Sequence, residues 1–257
     1  MNFFFGFNSN CIKCKLTIPK FKNREKISKK LCLYTASVSK NQEWIIKKMI
    51  DDEDEEFFYI NNENIDNKEI YFISTIDNPE EGLHKQIKDY NNFSKTVPAF
   101  RCNIKIFNSQ GGYSSYQGEY PYNMIKKYGS FLSSSYVLTN SNASKNFLLL
   151  KNIFYLPTNE KFKLYLVDVN KGIVVHDFDL KANFSNIIDI EKDMINENYY
   201  FFSKKFIGIP NYISMDDKNH LSFEHTLPPQ SVIIGKNRFN IIKSLKEKIN
   251  KIIIKNI

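Results

Sequence analysis

Residues 161–180 read KFKLYLVDVNKGIVVHDFDL and decide the fold class. In the first half, apolar side chains alternate with lysine and tyrosine, and this period of two predicts a strand with one buried face. Asn170-Lys171-Gly172 then predicts a tight turn, after which residues 173–180 return as the partner strand. The stretch therefore predicts an antiparallel hairpin.

Short strands recur on both sides of this hairpin with few helices between them, which favours an antiparallel β-sandwich or a jelly-roll-like domain with two or three peripheral helices. The other predicted strands are 31–38, 57–60, 70–74, 100–107, 147–155, 199–202, 212–215 and 220–226. The 57–60 and 70–74 strands read as a hairpin with a long loop. The spacing shows no internal repeat.

Two helices are predicted in the first half of the chain. Ser39 followed by Gln42 resembles a capping box and predicts a helix over 40–50 that carries Trp44, Ile45 and Met49. Asn78-Pro79-Glu80-Glu81 combines a cap, a first-turn proline and two acids, so a second helix is expected from Pro79 to about residue 90.

The last segment predicts a basic amphipathic helix. Ile242, Leu245, Ile249 and Ile252 recur at spacings of three and four, and most of the lysines lie off that stripe. We expect residues 236–257 to pack on a β-rich main domain over 29–235, preceded by a poorly ordered basic segment over 1–28. The alternative is a helix that contacts a membrane surface or a protein partner.

Composition excludes several classes of protein. The 257 residues are 42% hydrophobic, which excludes a wholly disordered chain, and no apolar run approaches the roughly 20 residues of a membrane-spanning helix. The net charge of +8 rests almost wholly on lysine, with Arg24, Arg101 and Arg238 as the three arginines, which makes nucleic-acid binding unlikely. The sequence has no dinucleotide, phosphate-loop, zincin or nucleophile-elbow motif.

The N-terminus lacks the features of a secretory signal, so a cytoplasmic location is expected. Cys11 and Cys14 form a CxxC pair, but a zinc ribbon needs a second pair, and Cys32 and Cys102 stand alone. We interpret the four cysteines as reduced thiols. The sequence predicts no cofactor, with a divalent metal as the alternative.

The first candidate site is a polar aromatic loop over residues 109–122. Sugars offer apolar CH faces and hydroxyl groups, which bind to flat aromatic rings beside amides and carboxylates. The loop supplies both kinds of group, and Arg101 is placed to pair with Glu119. The predicted ligand-binding residues are Arg101, Tyr113, Ser115, Tyr116, Gln117 and Glu119.

The second candidate site is the hairpin over residues 211–229. If Met215 pairs with His220, then Asn211 lies opposite Glu224, and Tyr212 meets Phe223 on the apolar side. His220 and Glu224 share a face but lie about 13 Å apart along a strand, too far for both to bind one zinc without help. His225 points the other way unless the chain bends at the following prolines.

These features favour a saccharide-binding module with a role in bacterial surface-polysaccharide metabolism. One alternative is a small-molecule or sugar-modifying enzyme, in which His220, Glu224 or His225 act as metal ligands or as general acid–base groups. Another is a structural or partner-binding protein that acts through residues 240–257. The sequence does not decide whether the two candidate sites share a cleft.

Overall fold

The computed structural model describes residues 3–20, 31–49, 56–74, 76–88, 102–118, 129–137, 139–205, 209–225 and 235–257. Within these ranges the chain forms sixteen strands and two α-helices. Every strand pairing is antiparallel. The prediction of a mainly β protein with few helices is confirmed.

The chain divides into two compact units. Unit 1 comprises the described residues within Met1–Lys126, Asn152–Asn159 and Ala182–Ser185, and unit 2 comprises the others. The expected single main domain over 29–235 differs from this division, because each unit builds two sheets of its own.

Unit 1 contains two four-stranded sheets with strand orders β1-β6-β3-β4 and β5-β2-β7-β8. Its strands are β1 (Phe3–Phe4), β2 (Lys13–Pro19), β3 (Cys32–Val38), β4 (Trp44–Lys48), β5 (Phe57–Ile60), β6 (Ile70–Ser74), β7 (Cys102–Phe107) and β8 (Tyr113–Gly118). Strand β2 alternates exposed lysine with buried Cys14, Leu16 and Ile18, so one face of its sheet contributes to the core.

Unit 2 also contains two four-stranded sheets, with strand orders β12-β11-β14-β9 and β13-β10-β15-β16. Its strands are β9 (Phe131–Ser134), β10 (Lys145–Lys151), β11 (Lys161–Asp168), β12 (Ile173–Lys181), β13 (Ser185–Ile190), β14 (Tyr199–Ser203), β15 (Ile209–Met215) and β16 (Leu221–His225). The Tyr212 hydroxyl joins the two sheets, since it lies 2.8 Å from Ser133 Oγ and donates to the carbonyl of Ser134 at 2.9 Å.

The two units repeat one topology. Adding eight to each strand number of unit 1 gives the strand orders of unit 2. A 3₁₀ turn follows the fifth strand of each unit, over Asn62–Asn64 and over Lys192–Met194, with nearly the same backbone angles at both ends. The prediction of no internal repeat is therefore wrong, because the pairing scheme repeats while the side chains have diverged.

The predicted helix over 40–50 is wrong, because this segment forms the hairpin of β3 and β4. Ser39 Oγ accepts the N–H groups of Asn41 and Glu43, and the backbone N–H of Ser39 donates to the carbonyl of Glu43 at 2.9 Å. The serine therefore closes a hairpin turn rather than capping a helix. Trp44 begins a strand whose aromatic and β-branched residues favour the extended backbone.

Strands 57–60 and 70–74 form as predicted but do not pair with each other. Strand β5 pairs with β2, whereas β6 pairs with β1 and β3 in the other sheet of the unit. The connection through the 3₁₀ turn therefore crosses between sheets.

The expectation of a poorly ordered segment over 1–28 is wrong for its described part, residues 3–20. Strands β1 and β2 lie in this part, and Phe3, Phe4 and Phe7 are almost fully buried. Apolar side chains spaced through the segment supply the sheet core, which outweighs the basic composition. Residues 21–28 lie outside the described residues.

The helix predicted from Pro79 and the helix predicted in the C-terminal segment are both present. Helix α1 spans Pro79–Lys88, and the side chain of Asn78 accepts the backbone N–H of Glu81 at 3.0 Å, which confirms the predicted cap. Helix α2 spans Arg238–Asn256 and buries Ile242, Ile249, Ile252 and Ile253 against strands of the β12-β11-β14-β9 sheet. Neither described helix is long and apolar enough to cross a membrane.

Replacing Ile249 with alanine should destabilise unit 2 through the packing of α2. Ile249 is fully buried, and removing a buried aliphatic side chain costs about 2–5 kcal/mol through lost burial and the remaining cavity. Urea unfolding followed by circular dichroism measures the loss. Ile254→Ala is the matched control, because Ile254 is 69% exposed. Equal losses in the two variants would contradict this packing.

Candidate functional site

The β5-β2-β7-β8 sheet presents a row of exposed side chains on one face, which we call the open face. Its residues are Lys13, Lys15, Thr17, Phe57, Tyr59, Asn103, Lys105, Phe107, Tyr113 and Ser115, all exposed or half-buried. The strand registers place them in rows across the sheet. The open face is thus a surface of aromatic, cationic and polar groups on a rigid scaffold.

Aromatic rings lie at both ends of the open face. Phe107 pairs with Tyr113 in one end row, and Tyr59 pairs with Thr17 towards the other end. Phe57 lies beside Tyr59 with ring centroids 6.1 Å apart. The rows between them carry lysine, hydroxyl and amide groups, the donors that a polar ligand requires.

The open face is cationic. Lys105 Nζ lies 4.8 Å from the ring centroid of Tyr113, and Lys15 Nζ lies 5.8 Å from that of Phe107. These lysines therefore contact ring faces that could also stack on a ligand. No outward position of the four strands holds an acidic residue, so the face attracts anionic ligands.

A side-chain-capped turn positions the aromatic end of the open face. Asn108 Oδ1 accepts the N–H groups of Gln110 and Gly112 at 3.0 Å each, and Gly111 adopts a positive φ of 90°. The turn leads β7 directly into β8, as its asparagine and glycine residues predict. Tyr113 consequently lies opposite Phe107 at the first pair of the hairpin.

The expected aromatic loop over 109–122 is a strand in its central part. Tyr113–Gly118 forms β8, because a serine–tyrosine sequence after a tight turn readily continues the ladder of β7. Tyr113 and Ser115 lie on the open face. Tyr116 pairs with buried Ile104 and lies on the opposite face.

Three of the predicted ligand-binding positions fall at the boundary of the described residues. Gln117 pairs with Asn103 and so belongs to an open-face row, but its side chain lies outside the described residues. Arg101 and Glu119 lie outside them altogether, and their predicted pairing stays a prediction. The sequence did not identify Lys13, Lys15, Tyr59 or Lys105, since only strand pairing brings them onto the same sheet face as Tyr113.

The equivalent sheet of unit 2 lacks an open face of this kind. Residues 146–151 of β10 and 210–215 of β15 are buried on both faces of the β13-β10-β15-β16 sheet. Phe147 and Ile213 occupy the positions that correspond by strand pairing to Lys15 and Lys105 of unit 1. The same topology therefore yields an exposed polar surface in unit 1 and buried strands in unit 2.

The 211–225 hairpin forms with a register one residue away from the prediction. Met215 pairs with Leu221, so Tyr212 lies opposite Glu224 and Ile213 lies opposite Phe223. The reason is a longer turn than expected, which includes His220. The hairpin belongs to unit 2 and the open face to unit 1.

His220 takes part in this turn. Asp216 Oδ1 accepts the backbone N–H groups of Lys218 and His220, and Asp216 Oδ2 lies 2.8 Å from His220 Nδ1. The backbone N–H of His220 is the largest cause that lowers the pKa of the Asp216 carboxyl. Glu224 is exposed on the edge strand β16, and the side chain of His225 lies outside the described residues.

Within the described ranges, no three histidine, cysteine or acidic side chains are placed to hold one metal ion. None of the four cysteines, all of which lie in the described residues, forms a disulfide. Cys14 lies in the core, where its sulfur accepts the backbone N–H of Phe7 at 3.1 Å. The CxxC pair thus flanks the start of β2 rather than lying in a loose tail.

A polar pocket of about 630 Å³ lies beside the 3₁₀ turn of unit 1. Asn8 Nδ2 donates to the carbonyls of Asn62 and Ile65, and Asn67 Oδ1 accepts the backbone N–H of Asn8 at 2.7 Å. Burial raises the pKa of Glu69 in the same pocket. Its amides hold the loop together, which gives the pocket a structural role.

Comparison with protein-family models, with curated proteins and with solved structures found no match to this chain.

Replacing Asp216 with asparagine should weaken the 211–225 hairpin in a pH-dependent way. A carboxyl whose pKa is lowered by folding contributes stability above its unfolded pKa and loses that contribution as pH falls through the folded pKa. At about pH 7 the variant should have a lower urea midpoint than the native chain. This gap between the two midpoints should close as the pH falls below about 3.9, the usual pKa of an Asp carboxyl.

The matched control is Asp217→Asn, because Asp217 is exposed in the same turn and should show little gap at either pH. A gap of equal size at about pH 2 would show that the Asp216 carboxylate is not the source of the effect.

Proposed function

We propose that this chain is a saccharide-binding module and that the open face of unit 1 holds the sugar. The supporting observation is the arrangement of aromatic rings at both ends of an exposed sheet face, with lysine, hydroxyl and amide groups between them. Aromatic rings stack against the CH faces of sugars. The polar groups accept hydrogen bonds from the sugar hydroxyls or donate hydrogen bonds to them.

The preferred saccharide is acidic. Lys13, Lys15 and Lys105 lie on the open face, and its outward positions carry no acidic side chain. A uronate or sulfate group would form charge-assisted hydrogen bonds with these lysines, two of which, Lys15 and Lys105, lie over aromatic rings. A neutral glycan would leave the cations without a counter-charge.

A flat face on paired strands suits a glycan chain better than a small metabolite. Small ligands bind in recesses that surround most of their surface, whereas the open face spans four neighbouring strands about 4.8 Å apart. Its rigid backbone also limits the entropy lost on binding. A cytoplasmic role in bacterial surface-polysaccharide metabolism stays a prediction from the sequence.

The two alternative functions have less support. His220 is held in a hairpin turn by Asp216, and a turn-stabilising contact does not by itself indicate a catalytic histidine. The apolar stripe of α2 packs against the chain's own sheet, so that stripe is not offered to a protein partner.

Affinity electrophoresis of the full chain tests the proposal. Gels that contain alginate or polygalacturonate should retard the protein, and gels that contain dextran should retard it much less. Tyr113→Ala and Lys105→Gln should each weaken binding to the acidic glycan by about tenfold, through loss of a stacking ring and of a cation.

The matched controls are Tyr136→Ala and Lys145→Gln, which remove exposed residues of unit 2. Both should bind as the native chain does. Retardation by inorganic polyphosphate equal to that by the acidic glycans would show charge attraction without sugar recognition, and would overturn the proposal.

A further inference from the structure

Unit 2 contains an elongated recess beside α2, which we call the flank groove. One part has a volume of about 470 Å³ and lies between α2 and residues Ser130, Phe202 and Lys204. A second part of about 290 Å³ continues along strand β11. The two parts share Phe202, Lys204 and Asn250, so they form one continuous groove.

The floor of the flank groove is apolar. Phe202, Ile242 and Ile253 are buried side chains of the cluster that joins α2 to the sheet. Phe239 and Ile254 extend this surface at either end and are 61% and 69% exposed. They lie fifteen residues apart on α2, which is about 22 Å along the helix axis.

Lysines dominate the charged lining of the flank groove. It contains six lysines and two glutamates, namely Lys161, Lys163, Lys204, Lys205, Lys243, Lys246, Glu160 and Glu247. Lys163 pairs with Asp177 and Asp179. Lys161, Lys204 and Lys246 have no acidic partner among the described residues, so the groove carries positive charge that a bound anion would balance.

Lys246 lines the larger part of the groove. Its ammonium group donates to the carbonyl and the hydroxyl of Ser130 at 3.1 and 2.9 Å, both uncharged acceptors. Partial burial lowers the pKa of the Lys246 ammonium group. A shifted pKa of this kind is common at binding sites.

We propose that the flank groove binds a free anionic amphiphile, with its acyl chain along the apolar floor and its carboxylate or phosphate head beside Lys204 and Lys246. The volume lies in the range of small-molecule sites. The inference is independent of the saccharide proposal, which concerns unit 1.

Calorimetric titration of the full chain with decanoate tests this site. Decanoate should bind, whereas acetate, which lacks the chain, and 1-decanol, which lacks the charge, should each bind at least about tenfold more weakly. Absence of decanoate binding, or equal binding of acetate, would overturn the proposal.

Variants locate the binding. Lys246→Met and Phe239→Ser should each weaken decanoate binding by about tenfold. Lys248→Met and Ile241→Ser are matched controls on exposed parts of α2 outside the groove lining. Equal weakening in the variants and the controls would overturn the assignment.

Two further measurements separate the outcomes. Tyr113→Ala should leave decanoate binding unchanged, because Tyr113 lies in unit 1 and the flank groove in unit 2. Failure of the saccharide proposal therefore does not affect the proposal for the flank groove. Flotation of the chain with phosphatidylglycerol vesicles, in the absence of decanoate binding, would identify a membrane contact instead and would overturn the proposal.

Discussion

The structure depends on one constraint, which is that every apolar sheet face must be covered. A four-stranded antiparallel sheet satisfies its backbone hydrogen bonds internally, except along its edges, and leaves two faces to be settled by their side chains. In unit 2, the β12-β11-β14-β9 sheet presents Val167 and Phe202 on its outer face, and α2 covers them with four isoleucines. In unit 1, the β5-β2-β7-β8 sheet carries lysine and tyrosine outward, and that face remains exposed. Polar side chains on one face of a sheet therefore leave a surface that a ligand can reach, whereas apolar side chains there require another element to cover them.

The repetition of topology makes this choice visible within one molecule. Both units use the same strand orders, and the same 3₁₀ turn follows the fifth strand. Pairing depends on backbone geometry and on the inward residues, so it tolerates wide changes at outward positions. Lys15 in unit 1 and Phe147 in unit 2 illustrate the result, since they are the third residues of the equivalent strands β2 and β10, with one exposed and the other buried. A shared scaffold thus leads to two surfaces with different chemistry.

Local sequence signals predicted the structure best where the side-chain contacts and the backbone conformation favoured the same element. The Asn78 cap, the turn at Asn108 and the isoleucine stripe of α2 all depend on residues a few positions apart, and all formed as predicted. The serine at position 39 misled because a serine side chain stabilises a hairpin turn and a helix cap with similar hydrogen bonds. The register of the 211–225 hairpin shifted by one because turn length decides register, and the sequence left that length open.

Sequence alone determined the class of structure, because alternation and helical spacing report directly which side chains are buried. It also named Tyr113 and Ser115 as candidate ligand-binding residues, although it placed them in a loop and the structure places them in strand β8. Tertiary structure decided which residues accompany them, since Lys15, Tyr59 and Lys105 come from three other strands and share a sheet face with Tyr113 through long-range pairing. Tertiary structure also forms the flank groove, because it brings together Ser130, Lys204 and Lys246, which are far apart in the chain. Sequence spacing encodes local geometry, whereas a binding surface depends on strand order, which no local spacing specifies.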